Sequence, residues 1–202
     1  MQSTPIENLS IIPANTSFDG RTPRVVCDDP NVLDRALVSD DFMKKNFDLI
    51  VIDTPPSLDY LLMNGLACAD ALMIPLVPHP LVLEGVQHLS RLLFRLAAIR
   101  TTEYRRIAVL PVMLDRRIDL HKKILSQAVS LYGGQRILRG IRSDISLAEA
   151  FSVGRPVRWY APRSKGALDY YLLTEEVMTH WLTPFLSSSL STDINDNLGV
   201  CV

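Results

Sequence analysis

The chain has 202 residues, 48% of them hydrophobic and 21% charged, a balance that suits one globular domain with a real core. No apolar run approaches the ~18 residues that a membrane helix needs, and the start Met1-Gln2-Ser3-Thr4-Pro5 lacks the basic and apolar regions of a secretory signal. Three cysteines (27, 68 and 201) without metal-type spacing are the pattern of a reduced, cytoplasmic protein.

The net charge of −1 hides an uneven distribution. Residues 1–90 carry 5 Lys/Arg against 12 Asp/Glu, whereas residues 91–165 carry 16 against 5. Most of the late cations are Arg, whose planar fork offers two aligned donors to a phosphate. The two readings that this leaves open are a polyanion-facing side and a merely solvated surface.

In chain order, Leu9–Ala14 reads as a short strand. Phe47–Asp53 reads as a stronger one, rich in β-branched residues and apolar on both faces. Residues 71–77, 107–114 and, more weakly, 137–141 are further strands. Continuous apolar runs rather than strict alternation are expected of strands covered on both faces, as in a parallel sheet. Between them lie helical repeats: Val86, Leu89, Leu93 and Leu96; then Ile124, Ala128 and Leu131; then Leu168, Leu172 and Val177, ending near Trp181. Gly133-Gly134 reads as a helix C-cap and turn. The alternation predicts an α/β fold of three layers, a mostly parallel sheet with helices on both faces. No internal repeat or dividing linker is visible. Residues 1–183 are expected to form the domain and 184–202 a disordered tail.

The segment with the clearest chemistry is Asp48-Leu49-Ile50-Val51-Ile52-Asp53-Thr54-Pro55-Pro56-Ser57. A buried strand ends in a carboxylate and turns at two prolines. Ligands of open α/β sheets sit at the carboxyl ends of strands, so Asp53 stands where a Mg²⁺-bound phosphate needs an oxygen ligand or a partner for a metal-bound water. His79 and His88 have no Cys at ligand spacing. Cys68 reads as a small core residue, and Trp159, Tyr160, Tyr170 and Tyr171 as core or edge packing rather than base stacking.

These residues carry a resemblance. Pro5–Asn15 resembles the "ENLxxIPAN" strand of the ParA/MinD family of deviant Walker-A P-loop ATPases, and residues 48–58 resemble its "DxIxIDxPPSL" Walker-B region. Ala69–Pro75 with Leu83-Glu84-Gly85 is similar to its "ADxxxIP…LEG" segment, and Met113–Arg117 to its "MxDxR" strand end. Residues 145–167 resemble its C-terminal "LxEA…GxPV…PxSxGA" series. The ordered match spans about residues 4–180 and is most like the ParA branch. It implies a P-loop NTPase-like fold and a partition or positioning ATPase that uses ATP and Mg²⁺. It further implies a homodimer, a ParB-like stimulating partner, nonspecific DNA binding in the cytoplasm, and no membrane. By the same resemblance Asp53 is the catalytic carboxylate and holds Mg²⁺ through water. Thr54, Pro55 and Pro56 form the nucleotide switch, and Arg117 and Arg142 meet DNA.

One departure stands out. No Gly-Lys dipeptide occurs in the 202 residues, so the family's "KGGxGKT" phosphate loop has no counterpart here. The first β–loop–α–β portion, at least ~30 residues, is expected to be missing, which leaves apolar strand edges bare. The chain alone is then expected to be inactive as an ATPase. The alternative is a non-enzymatic ParA relative that binds and modulates partner subunits.

Overall fold

The computed structural model describes residues 1–14, 29–40, 46–54, 60–81 and 106–182. The expected helix through Val86–Leu96, the tail 184–202 and the pair Pro55-Pro56 lie outside the described residues.

The elements in chain order are β1 (Gln2–Ser3), β2 (Ser10–Ile11), α1 (Val32–Ser39), α2 (Tyr60–Cys68), β3 (Ala71–Leu76), β4 (Arg106–Pro111), α3 (Asp119–Tyr132), α4 (Ile145–Ser152), α5 (Val157–Tyr160) and α6 (Lys165–Val177). A π-helical turn, Met178–Leu182, extends α6.

The central pair is parallel: β3 lies beside β4 in the register Ala71↔Arg106 through Leu76↔Pro111. A third segment continues the sheet on the far side of β4. Bridges Val109↔Ile137 and Leu114↔Arg142 are both parallel, and the amides of Leu138 and Ile141 donate to the carbonyls of Val109 and Pro111 at 2.9 and 2.7 Å. The expected strand 137–141 is therefore present as separate bridges rather than a ladder. Gly140 explains the break. Its φ is +79°, and an added Cβ would lie 3.1 Å from the Pro111 carbonyl oxygen, so only glycine lets the two backbones approach there.

Side chains of the pair alternate between two apolar clusters, as strand pleating demands. Ala71, Ala108 and Leu110 pack with Leu138, Ile141, Leu173 and Trp181, with Met73 against the same cluster. Leu72, Ile74 and Ile107 face the other way, towards Leu62, Leu66 and Ala69, and Leu76 and Val109 pack on Ala128 of α3. Helix α6 therefore covers one face, and α2 and α3 the other. This is the expected three-layer α/β arrangement with a parallel sheet, here a small one.

The helices follow their apolar stripes only in part: in α6 Leu173 is buried, but Leu168, expected on the stripe, is 50% exposed. Ile124 and Ala128 of α3 are buried, but Leu131 is 52% exposed. Gly133, at φ +85°, caps that helix, as its position suggests. Helix α1 was not foreshadowed by any strong periodicity. It is tied on by Asn64, buried in α2, whose Oδ1 accepts the Leu33 amide at 3.1 Å while its Nδ2 donates to the Tyr60 carbonyl at 3.0 Å. One side chain thus satisfies an otherwise orphaned first-turn amide of α1.

Two expected strands differ from the structure. Phe47–Asp53 forms no strand, and within it only Ile50 makes a bridge. Ile50 and Ile52 pack against the α2 cluster, while Leu49 and Val51 stay 37% and 69% exposed. Half of the run has a helix to lie on, and the other half has no covering layer among the described residues. Leu9–Ala14 likewise shrinks to a two-residue antiparallel pairing with Gln2–Ser3, leaving Ile12 67% exposed. Its apolar side chains find no sheet to join among the described residues.

Candidate functional site

Asp53 is exposed at the end of the apolar run, and Thr54 beside it is half-buried. The run lies on α2 because of Gly65. A Cβ at that position would stand 2.9 Å from Thr54 Cγ2 and 3.7 Å from Ile52 Cγ2, so a side chain there would push the Asp53 end off the helix. Between this end and β3 lies a cavity of about 120 Å³. Ile52 and Thr54 form one wall, Met73, Ile74 and Pro75 the other, and Leu62, Gly65 and Leu66 of α2 also line it. Thr54 contributes its only hydroxyl.

The two sequence-predicted arginines flank one junction. Leu114 bridges Arg142, its amide donates to the Ile141 carbonyl at 2.9 Å, and Ser143 returns an amide to the Leu114 carbonyl at 3.0 Å. This join places Arg117, three residues after Leu114, and Arg142 at the carboxyl ends of neighbouring segments. Each faces a carboxylate. Asp115 accepts from Arg117 at Nε (3.0 Å), at the terminal nitrogen (2.7 Å) and at the backbone amide (2.9 Å). These bonds, with the guanidinium first, hold the Asp115 carboxyl far below the usual range. The Arg117 side chain is still 90% exposed. The Asp115 amide donates to His121 Nδ1 at 3.1 Å, which steadies the turn into α3.

Arg142 is held more deeply. Asp169, buried in α6, accepts from its Nε at 2.8 Å, its terminal nitrogen at 2.7 Å and its backbone amide at 2.9 Å. Burial alone would raise the Asp169 carboxyl, but the bonds and charge of Arg142 outweigh it and hold the group below its ordinary value. Asp144 is N-cap of α4 and accepts the Ser146 amide at 3.0 Å. Its second oxygen accepts the Gly166 amide at 2.7 Å. Those backbone donors, Gly166 first, lower its pKa. The two aspartates together clamp the start of α6 to the loop that carries Arg142.

None of the four aromatic residues read as core or edge packing lies in the core. Trp159, Tyr160, Tyr170 and Tyr171 are 49%, 39%, 45% and 58% exposed. His79 is exposed and accepts the Leu81 amide at 3.3 Å, and His88 lies outside the described residues. Cys68 is half-buried in α2 and donates to the Gly65 carbonyl.

A family described as an AAA domain matches residues 1–107. The sporulation initiation inhibitor protein Soj of Bacillus subtilis is 32% identical over 182 residues, covering 88% of this chain and 70% of that protein. The chromosome-partitioning ATPase Soj of Treponema pallidum is 30% identical over 179 residues, with the same two coverages. This chain belongs to the ParA/MinD family of P-loop ATPases. A more distant relative, the chromosome partitioning protein ParA of Myxococcus xanthus, is 26% identical over 181 residues, 88% of this chain and 62% of that protein.

The chemistry of a ParA/MinD-family site can be tested against the residues present. Mg²⁺ takes one or two carboxylates and keeps several waters. Asp53, exposed beside the Thr54 hydroxyl, fits that role, and among the described residues no group of three or more His, Cys, Asp and Glu gathers as a denser cation site. A nucleotide is different. Its phosphates need successive backbone N–H groups and a lysine. The cavity beside Asp53 is apolar, and among the described residues no glycine-rich loop opens towards it. The described residues fit the cation and do not fit the phosphates.

Two of the residues that organise this region were not singled out as candidates from sequence, Asp169 and His121. Asp169 carries no local signal, because its partner lies 27 residues away. Asp144 does carry a local signal: an Asp just before the apolar run Ile145–Phe151 is an N-cap pattern.

Proposed function

We propose that this chain serves in DNA partition or cargo positioning, in the manner of the ParA proteins. The observation that carries the reading is the 32% identity to a Soj protein over 88% of the chain. In this reading residues 1–183 are the ATPase domain, two copies act as a homodimer, and a ParB-like protein is the stimulating partner in the cytoplasm. Asp53 holds Mg²⁺ through water, and the ion would screen phosphate charge and order its own waters. Thr54, Pro55 and Pro56 form the switch segment that follows. Arg117 meets DNA phosphate by exchanging it for Asp115, which its exposure permits. Arg142 holds the adjoining loop against Asp169 and turns its remaining donors outward. Because the described residues do not cradle phosphates, no hydrolytic step is assigned to them.

The test is fluorescence anisotropy of the 202-residue chain with a duplex of arbitrary sequence. Binding that weakens linearly with the logarithm of salt concentration is expected. Mn²⁺ binding, followed by electron paramagnetic resonance, is expected to weaken at least tenfold in Asp53→Ala. Absence of DNA binding at the lowest workable salt would overturn the reading.

A second reading rests on the apolar cavity between Ile52–Thr54 and β3. An apolar cleft bounded by a strand edge suits completion by another polypeptide, as expected of a non-enzymatic relative that modulates an intact ParA. A change in the ATPase rate of such a ParA on mixing is what this reading expects.

A further inference from the structure

Strand β3 has one edge in use. Among the described residues it pairs with β4 alone, and the Val112 amide donates to the Leu76 carbonyl at 2.9 Å. Leu76 therefore turns its backbone groups towards β4. Backbone groups alternate in direction along a strand, so Leu72 and Ile74 do the same, while Ala71, Met73 and Pro75 turn theirs to the opposite edge. That edge offers the amides of Ala71 and Met73 and the carbonyls of Ala71, Met73 and Pro75, which have no backbone partner among the described residues. Pro75 has no N–H to give, so a ladder built on this edge ends there.

Residues 50–54 stand on the other side of this edge. Ile50 and Ile52 rest on α2 in the same apolar cluster as Leu72 and Ile74, so the run and β3 are carried by one helix layer. No bridge joins them among the described residues, and the cavity of about 120 Å³ lies between Ile52–Thr54 and Met73–Pro75. On α2 it is floored in part by Gly65, with Ala69 beyond the helix end, and these small residues leave room for a larger side chain above them. The lining holds no charged side chain and one hydroxyl, that of Thr54. A charged guest is therefore excluded, since burying an unpaired charge is costly. A small apolar molecule would fill the volume and leave the β3 edge unbonded. The outward donors and acceptors of β3 recur at every second residue, about 6.6 Å apart, which is the repeat of another strand.

We infer that the space between residues 50–54 and β3 accepts one extended strand of another polypeptide, uncharged and apolar over about four residues, bonded through its backbone to the Ala71–Pro75 edge. One face of this guest rests on α2. Its other face lies on the side of Ala71 and Met73, where the cluster under α6 is packed, so both faces must be apolar. The inference rests on the second reading above, completion by another polypeptide, and names the chemistry of that partner.

The experiment uses the 202-residue chain and two dye-labelled peptides. One has a core of alternating valine and isoleucine flanked by lysines, and the other is the same peptide with every core amide N-methylated, which keeps the apolar surface and removes the strand donors. Binding is read by fluorescence anisotropy and the Met73 amide by hydrogen exchange. The expected result is that the first peptide binds and slows exchange at Met73 at least about tenfold, and that the methylated peptide binds at least about tenfold more weakly. Met73→Pro deletes the outward amide and no bond to β4. It should weaken the first peptide at least about fivefold, with circular dichroism to check that it is folded, while the two peptides on the wild-type chain decide the matter should it not fold. Equal binding of the two peptides, or unchanged exchange at Met73 at saturation, would overturn the inference. If that happens while the chain still changes the ATPase rate of an intact ParA, the second reading stands without it. If the first peptide binds and protects Met73 but the chain leaves that ATPase rate unchanged, the strand acceptor stands and the modulator reading falls.

Discussion

The pair formed by Arg142 and Asp169 is expected to stabilise the fold, and Arg142→Ala measures it. Removing the guanidinium strips a buried carboxylate of two strong charge-assisted bonds, at 2.8 and 2.7 Å, and leaves it one backbone donor at 2.9 Å. Breaking a fully buried pair costs about 3–5 kcal/mol. Here the Arg142 side chain is 36% exposed, so water reaches the vacated carboxylate and reduces the penalty. About 2 kcal/mol is the expected loss, equivalent to about 4–8 °C in Tm for a chain of this size. Urea unfolding followed by circular dichroism should show a lower midpoint with an unchanged slope. A double-mutant cycle with Asp169→Ala isolates the pair, with an expected coupling of about 1–2 kcal/mol. A coupling below about 0.5 kcal/mol would refute the assignment of Arg142 as a structural tie and free it to be a DNA contact first.

Stability should fall on acidification. Asp144 and Asp169 both titrate below their ordinary range in the fold, so their contribution is complete above the unfolded value of ~3.9 and is lost as pH drops through the depressed folded-state values. The urea midpoint should therefore be flat near neutrality and decline below about pH 5, and Asp169→Asn should show a shallower decline. Gly140→Ala should cost about 1–3 kcal/mol, since it combines a positive φ with a Cβ 3.1 Å from a backbone oxygen, and the same urea assay reads it. Trp181→Ala empties a site that is 5% exposed and shared with Leu138, Ile141 and Leu173, with an expected loss of about 3–5 kcal/mol in thermal unfolding.

The parallel pair was legible because its signal is local. Ala71–Leu76 and Ile107–Pro111 are unbroken apolar runs, and burial on both faces is what such runs require. Helix α6 was legible as an element but not in its buried face: Leu168 of the expected stripe is 50% exposed, and Ala167, Asp169 and Leu173 are buried instead. The run Phe47–Asp53 misled because composition reports what a segment could do if neighbours were supplied. Val51 is as β-prone as Val109, yet Val109 is 2% exposed and Val51 69%. The difference lies in the neighbouring layers and not in the residues. Asp53 follows its apolar run in the sequence, but the cavity near it depends on Gly65 and β3, which the run itself does not encode.

Charge shows the same division between what is local and what is not. The excess of cations over residues 91–165 can be counted from sequence, and it suggests a phosphate-facing side. Counting treats Arg117, Arg142, Arg158 and Arg163 as equivalent. Folding makes them unequal, because Asp115 neutralises the first through a turn two residues long, Asp169 reaches the second from 27 residues away, and no acid lies between Ala150 and Leu168 to meet the others. The field that a polyanion meets is set by the cations left over after the fold has formed its own pairs. On that basis Arg117 and Arg142 carry less free charge than Arg155, Arg158, Arg163 and Lys165, which have no ion-pair partner among the described residues. Raising salt should discriminate between them: an exposed, unpaired cation loses its pull on DNA as counterions screen it, whereas the Arg142–Asp169 tie, partly shielded from solvent, should keep its contribution to stability.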